Sequence, residues 1–72
     1  MTPTQSKMAR LGLNLRAADL AGLCGLARET IARFESGKQV APGSVEAMRA
    51  ALVEAGADFS HKAGRVGVTV PE

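Results

Sequence analysis

The chain reads as a mainly α domain in which four short helices are followed by a C-terminal β-hairpin. Three observations predict this. The 72 residues include 13 Ala and only two aromatics, Phe34 and Phe59, so the core must be built from aliphatic side chains and closely approaching backbones, which small helices supply. Helix start and stop signals recur at short intervals up to Gly56, as capping residues and glycines do in helical domains. Beyond that point Val66, Val68 and Val70 alternate with Gly67 and Thr69, the period of a strand with one apolar face.

Thr2-Pro3-Thr4-Gln5 has the form of a capping box with Pro at the first helical position. It predicts a first helix over about Pro3 to Leu13, with Gln5, Met8 or Ala9, and Gly12 or Leu13 on its inner face. Asn14 tolerates the left-handed conformation that ends a helix. Leu15 followed by Arg16-Ala17-Ala18-Asp19 reads as a hydrophobic staple and a new helix, which buries Leu20, Ala21 and Cys24 and stops at Gly25. Leu26 returns to the core. A third helix runs from about Arg28 to Ser36, burying Ile31 and Phe34 and ending at Gly37. Pro42-Gly43-Ser44 starts a fourth, whose face runs Val45, Met48, Leu52 and Ala55 before Gly56 ends it. Residues 1–56 therefore form the helical domain. In the tail, 57–72, Ala57 to Ser60 and Val66 to Val70 are extended around the polar loop His61-Lys62-Ala63-Gly64-Arg65. A two-stranded hairpin is marginally stable by itself, so its apolar face needs cover.

A chain of this size is one domain at most and buries roughly 60% of its unfolded surface. Domains this small often lean on disulfides, metal or a second subunit. Cys24 is the only cysteine and His61 the only histidine, so neither an intrachain disulfide nor a structural zinc site is expected. A second subunit remains. With no Tyr, no Gly-rich phosphate loop and no nucleophile–base pair, the expectation is a protein without enzymatic activity, cofactor or metal. Met1 to Lys7 lacks a basic start and apolar run, and no stretch approaches the roughly 18 apolar residues of a membrane span, so a cytoplasmic protein with no membrane partner is expected. Charge is uneven. Lys7, Arg10, Arg16, Arg28, Arg33 and Lys38 against Asp19, Glu29 and Glu35 give residues 1–40 a charge of +3, whereas residues 41–72 sum to −1, together the net +2. The excess in the first part points to an anionic partner.

The informative segment is Ala17 to Glu35. Leu20, Cys24, Leu26, Ile31 and Phe34 are all apolar at the offsets that two short helices and a tight turn would bury. Ala21 keeps the helix crossing close, and Gly25 suits a turn that needs positive φ. With Ile31 and Phe34 inward, a period of 3.6 places Arg28, Glu29, Ala32 and Arg33 outward. An arginine fork matches guanine O6 and N7, a Glu accepts from cytosine N4, and an Ala methyl can touch a thymine methyl. Glu29 also stands four residues before Arg33, the favourable order for an intrahelical ion pair, so it orients that arginine as readily as it reads a base.

The run Gly25-Leu26-Ala27-Arg28-Glu29-Thr30-Ile31-Ala32-Arg33-Phe34-Glu35-Ser36-Gly37-Lys38 resembles the helix-turn-helix of the Cro/C1-type (XRE) family of transcriptional regulators, and the resemblance extends over about Thr2 to Leu52. It implies a lambda-repressor-like domain whose third helix enters the DNA major groove. The function implied is a nucleoid-associated, sequence-specific regulator, a repressor on a near-palindromic operator. Carried onto this chain, the base contacts are Arg28, Glu29, Thr30, Ala32 and Arg33. The phosphate contacts are Arg16, Ala17, Ala27, Ser36, Gly37, Lys38 and Gln39, and Arg10 pairs with Glu35. Ala27 departs from the family's capping Ser or Thr, at a typical cost of about 1 kcal/mol. Arg16 likewise replaces a cap, and Ala17 a phosphate-holding Gln.

The tail departs from the family's fifth helix. It either folds back onto helix four or pairs across a two-fold axis through Phe59, Val66, Val68 and Val70. The second is expected, because it covers apolar edges and presents two recognition helices to half-sites about 10 bp apart. Two alternatives stand beside the regulator: an antitoxin whose tail binds a toxin while its helices repress the operon, and a protein-interaction module that keeps the helix-turn-helix only as a scaffold.

Overall fold

Local capping chemistry sets the element boundaries. The computed structural model describes all 72 residues, as α1 (Pro3–Gly12), α2 (Ala17–Cys24), α3 (Arg28–Glu35), α4 (Pro42–Glu54), β1 (Asp58–Lys62) and β2 (Arg65–Thr69). At the start of α1 the Thr2 hydroxyl accepts from the Gln5 amide at 3.1 Å, and the Gln5 side-chain oxygen accepts from the Thr2 amide at 3.0 Å. That is the expected reciprocal capping box. Asn14, at φ 59°, closes the turn after α1. Asp19 accepts from the Arg16 amide at 2.8 Å, and hydrogen bonding to the Arg16 guanidinium holds its carboxyl below the usual range. Its help to α2 is therefore present above the ordinary carboxylate pKa and lost as pH falls through the depressed one. α3 starts at Ala27 without a side-chain cap. It ends in a Schellman turn, with the Lys38 amide donating to the Arg33 carbonyl at 3.0 Å.

The core consists of Ala9, Leu20, Ala21, Ile31, Phe34, Met48, Leu52 and Ala57. Ala9 is the buried member of the expected Met8-or-Ala9 position, and only Ala55 departs from its expected inward placement. Met8 is 41% exposed, because the buried arc of α1 is centred on Ser6 and Ala9, and Met8 lies about 100° around the helix from Ala9. Ala55 is exposed because α4 ends at Glu54 and Ala55 becomes its cap. Cys24 is half-buried, its Sγ donating to the Leu20 carbonyl at 3.0 Å, and burial pushes its thiol up.

The hairpin is longer and tighter than the expected five-residue loop allows. Its register runs from Asp58 opposite Thr69 to Lys62 opposite Arg65, so His61, Lys62 and Arg65 belong to the strands. The connection is only Ala63-Gly64, with φ of 53° and 74°. Both residues are left-handed, the two-residue turn whose twist matches paired strands. Ala is strained there, which is why the turn is hard to see in the sequence. Ala63→Asn is expected to raise stability by about 0.5 to 1 kcal/mol, measured by urea unfolding, because Asn tolerates this conformation.

The tail folds back within the chain, chiefly against α1 rather than against helix four. The Gln5 side-chain amide donates to the Ser60 carbonyl at 2.8 Å and to the Gly67 carbonyl at 3.2 Å. At Gly12 a Cβ would stand 3.1 Å from Val70 Cγ2, so a glycine lets Val70, just past the end of β2, approach α1. Phe59, Val68 and Val70 pack against the core, and Ala57 is part of it. The tail therefore shares one core with residues 1–56. The radius of gyration, 11.1 Å, matches the roughly 11 Å of a close-packed chain this long, which a projecting hairpin would exceed.

Candidate nucleic-acid interface

α2 and α3 are joined by Gly25-Leu26-Ala27. Gly25 has φ 70°, the left-handed geometry that lets α2 end there, and the Leu26 amide donates to the Ala21 carbonyl at 3.0 Å. Leu26 packs against the core, and Ile31 and Phe34 anchor the inner side of α3. Rotation of α3 is thereby set. Arg28, Glu29, Ala32 and Arg33 lie exposed on its outer side, while Thr30 is half-buried.

A polar cluster fixes the far end of α3. Arg10 Nη2 donates to Glu35 Oε1 at 2.8 Å and Nε to Oε2 at 3.1 Å, with side chains only 12% and 8% exposed. The pairing expected between these two residues is here bidentate. The fully buried Ser6 hydroxyl donates to Glu35 Oε2 at 2.9 Å, and Arg10 Nη1 donates to the Leu15 carbonyl at 3.0 Å. Hydrogen bonding to Glu35 raises the Arg10 guanidinium pKa. One cluster thus ties α1, the approach to α2 and the end of α3 together.

The remaining cations divide into two groups. Arg16 pairs with Asp19, and Arg49 with Glu46, both as exposed neighbours along a helix. Such pairs are weak and readily exchanged. Arg28, Arg33, Lys7 and Lys38 make no side-chain hydrogen bond or ion pair within the chain. Glu29 and Arg33 in particular are not paired, although their spacing permits it.

The residues expected to contact phosphate are distributed unevenly. A shallow cleft lined by Lys7, Arg10, Ala17, Ala32, Glu35 and Ser36 brings Ala17 and Ser36 together beside the exposed side of α3. Ala17 opens α2, and its amide has no acceptor within the chain. Lys7 was not among the sequence-derived candidates. Its spacing of three residues before Arg10 was the available signal, since that places both on one side of α1. The Gly37 amide is committed within the chain. It donates to the Phe34 carbonyl at 3.0 Å, because the Schellman turn uses it, and it is not free to hold a phosphate. The Ser36 hydroxyl is likewise directed to the Arg33 carbonyl at 2.9 Å. Arg16 is engaged by Asp19, Ala27 is an exposed N-cap, and Lys38 and Gln39 are exposed in the loop after α3.

Phe59, Val68 and Val70, expected at a subunit interface, are half-buried against the chain's own core, whereas Val66 lies outside that cluster. No three His, Cys, Asp or Glu side chains converge as metal ligands would, and no helix is long and apolar enough to cross a membrane. No protein-family model matches the chain, and no curated protein matches it.

Proposed function

We propose that the protein is a sequence-specific DNA-binding regulator, a lambda-repressor-like helix-turn-helix domain of the Cro/C1 type. It acts as a cytoplasmic, nucleoid-associated homodimeric repressor on a near-palindromic operator, with no catalytic step, cofactor or metal of its own. One observation carries this reading. Of the cations on the helical part, Arg10, Arg16 and Arg49 are each paired with a carboxylate, while Arg28 and Arg33 on α3, Lys38 just after it and Lys7 of α1 beside Ser36 are uncommitted. A rigid helix with an exposed, unpaired guanidinium face suits base edges in the major groove.

In this reading Arg28 and Arg33 read bases, with Glu29, Thr30 and Ala32 beside them. Lys7, Lys38, Gln39 and the Ala17 amide hold phosphates. Unpaired Glu29 is available to accept from a cytosine amine.

Binding to mixed-sequence duplex, followed by fluorescence anisotropy across a salt series, tests the proposal. Affinity should fall steeply as salt rises. Lys38→Ala should weaken all sequences alike and flatten the slope by roughly one, the signature of one lost phosphate contact. Binding that is absent at low salt, or that Lys38→Ala leaves unchanged in slope, contradicts these roles.

A further inference from the structure

We infer that two copies of the chain join through the outer edge of β1, forming a four-stranded antiparallel sheet whose two-fold axis passes beside Ser60. This deepens the homodimer reading above and rests on it. The sheet has only two strands, so each strand has an outer edge without a ladder partner, which is a template for pairing. The face of the hairpin does not offer the same opportunity, because Phe59, Val68 and Val70 already pack against the core.

The register follows from the turn. A two-residue connection makes Lys62 and Arg65 a hydrogen-bonded pair, and the antiparallel alternation then makes Ser60/Gly67 and Asp58/Thr69 hydrogen-bonded as well. Phe59 and His61 therefore direct their amides and carbonyls outward, and no turn, loop or side-chain hydrogen bond uses them. Antiparallel pairing centred on Ser60 sets Phe59 opposite His61 of the second copy, and His61 opposite its Phe59. All four outward amides then find carbonyls. The same register sets Asp58 opposite Lys62 of the second copy, twice by symmetry. Asp58, Ser60 and Lys62 are all exposed and share the face turned away from Phe59. Self-complementary charge at this spacing is what an isologous contact requires. The edge of β2 lacks it. Centred on Gly67, that edge would oppose Arg65 to Thr69, with no opposite charge. A slip of one residue on β1 would exchange the two faces.

Sedimentation equilibrium of the DNA-free chain tests the inference. Asp58→Lys places like charges opposite each other at both symmetric positions and should weaken the dimer roughly tenfold, as should Lys62→Asp. The combined swap Asp58→Lys/Lys62→Asp should restore it. Ser60→Cys in a Cys24→Ala background should form an interchain disulfide under mild oxidation, because Ser60 faces its own copy in a non-hydrogen-bonded pair. A chain that stays monomeric overturns the inference, and so does a dimer that is indifferent to the charge reversals and that Ser60→Cys fails to crosslink. DNA binding measured on the same samples separates the two readings. A monomer that binds DNA sinks the edge and spares the regulator, and a Ser60-centred dimer that binds no DNA does the reverse.

Discussion

Glu35→Ala is expected to destabilise the domain by about 3 kcal/mol, the largest effect of any single substitution outside the apolar core. Glu35 accepts from Arg10 Nε, Arg10 Nη2 and the Ser6 hydroxyl, and its removal leaves a nearly buried guanidinium with only the Leu15 carbonyl. Breaking one side of a buried pair typically costs about 3 to 5 kcal/mol. The value here lies at the lower end, because Arg10 keeps some contact with water. For a domain of this size the loss corresponds to a fall in melting temperature of about 15 °C, read by circular dichroism. The pair itself is not the source of stability. Replacing both partners with apolar residues, as in Arg10→Met/Glu35→Leu, should recover most of the loss. A loss under about 1 kcal/mol for Glu35→Ala would show that the cluster does not fasten α3.

Arg33→Ala should leave folding unchanged within about 0.5 kcal/mol, since the side chain is exposed and has no partner in the chain. On a cognate duplex it should cost roughly 1 to 3 kcal/mol, between about fivefold and 150-fold in affinity, and relax preference at one base position. The combination is diagnostic. A residue that merely decorates the surface changes neither quantity, and one that supports the fold changes both. Unaltered base preference would remove Arg33 from the readers.

The parts of this architecture readable in the sequence are those that depend on near neighbours. Thr2 and Gln5 cap α1 across three residues, Asn14 and Gly25 take the left-handed turns, and Leu20, Ile31 and Phe34 form the inner faces. The Arg10–Glu35 pair was implied by family resemblance. Hidden from the sequence were contacts between distant segments. Gln5 serves both as the cap of α1 and as the anchor of a strand 55 residues away, a second role that periodicity does not carry. Gly12 reads as a weak helix position until Val70 is seen against it. The Ala63-Gly64 turn lacks the usual Asn or Asp, so the hairpin looked looser than it is. At the candidate interface the exposed face of α3 followed from the burial of Ile31 and Phe34. The loss of the Gly37 amide to a helix cap, and the arrival of Lys7 beside Ser36, depended on backbone closure and helix packing.

The most direct measurement is to mix the purified protein with sheared genomic DNA from its source at near-physiological salt and sequence the retained fragments, with the Arg28→Ala/Arg33→Ala protein in parallel. The wild-type chain should retain fragments sharing a short inverted repeat with half-sites about 10 bp apart, and the double variant should retain none of them selectively. Retention of no shared sequence, or the same sequence by both proteins, would contradict a recognition role for α3.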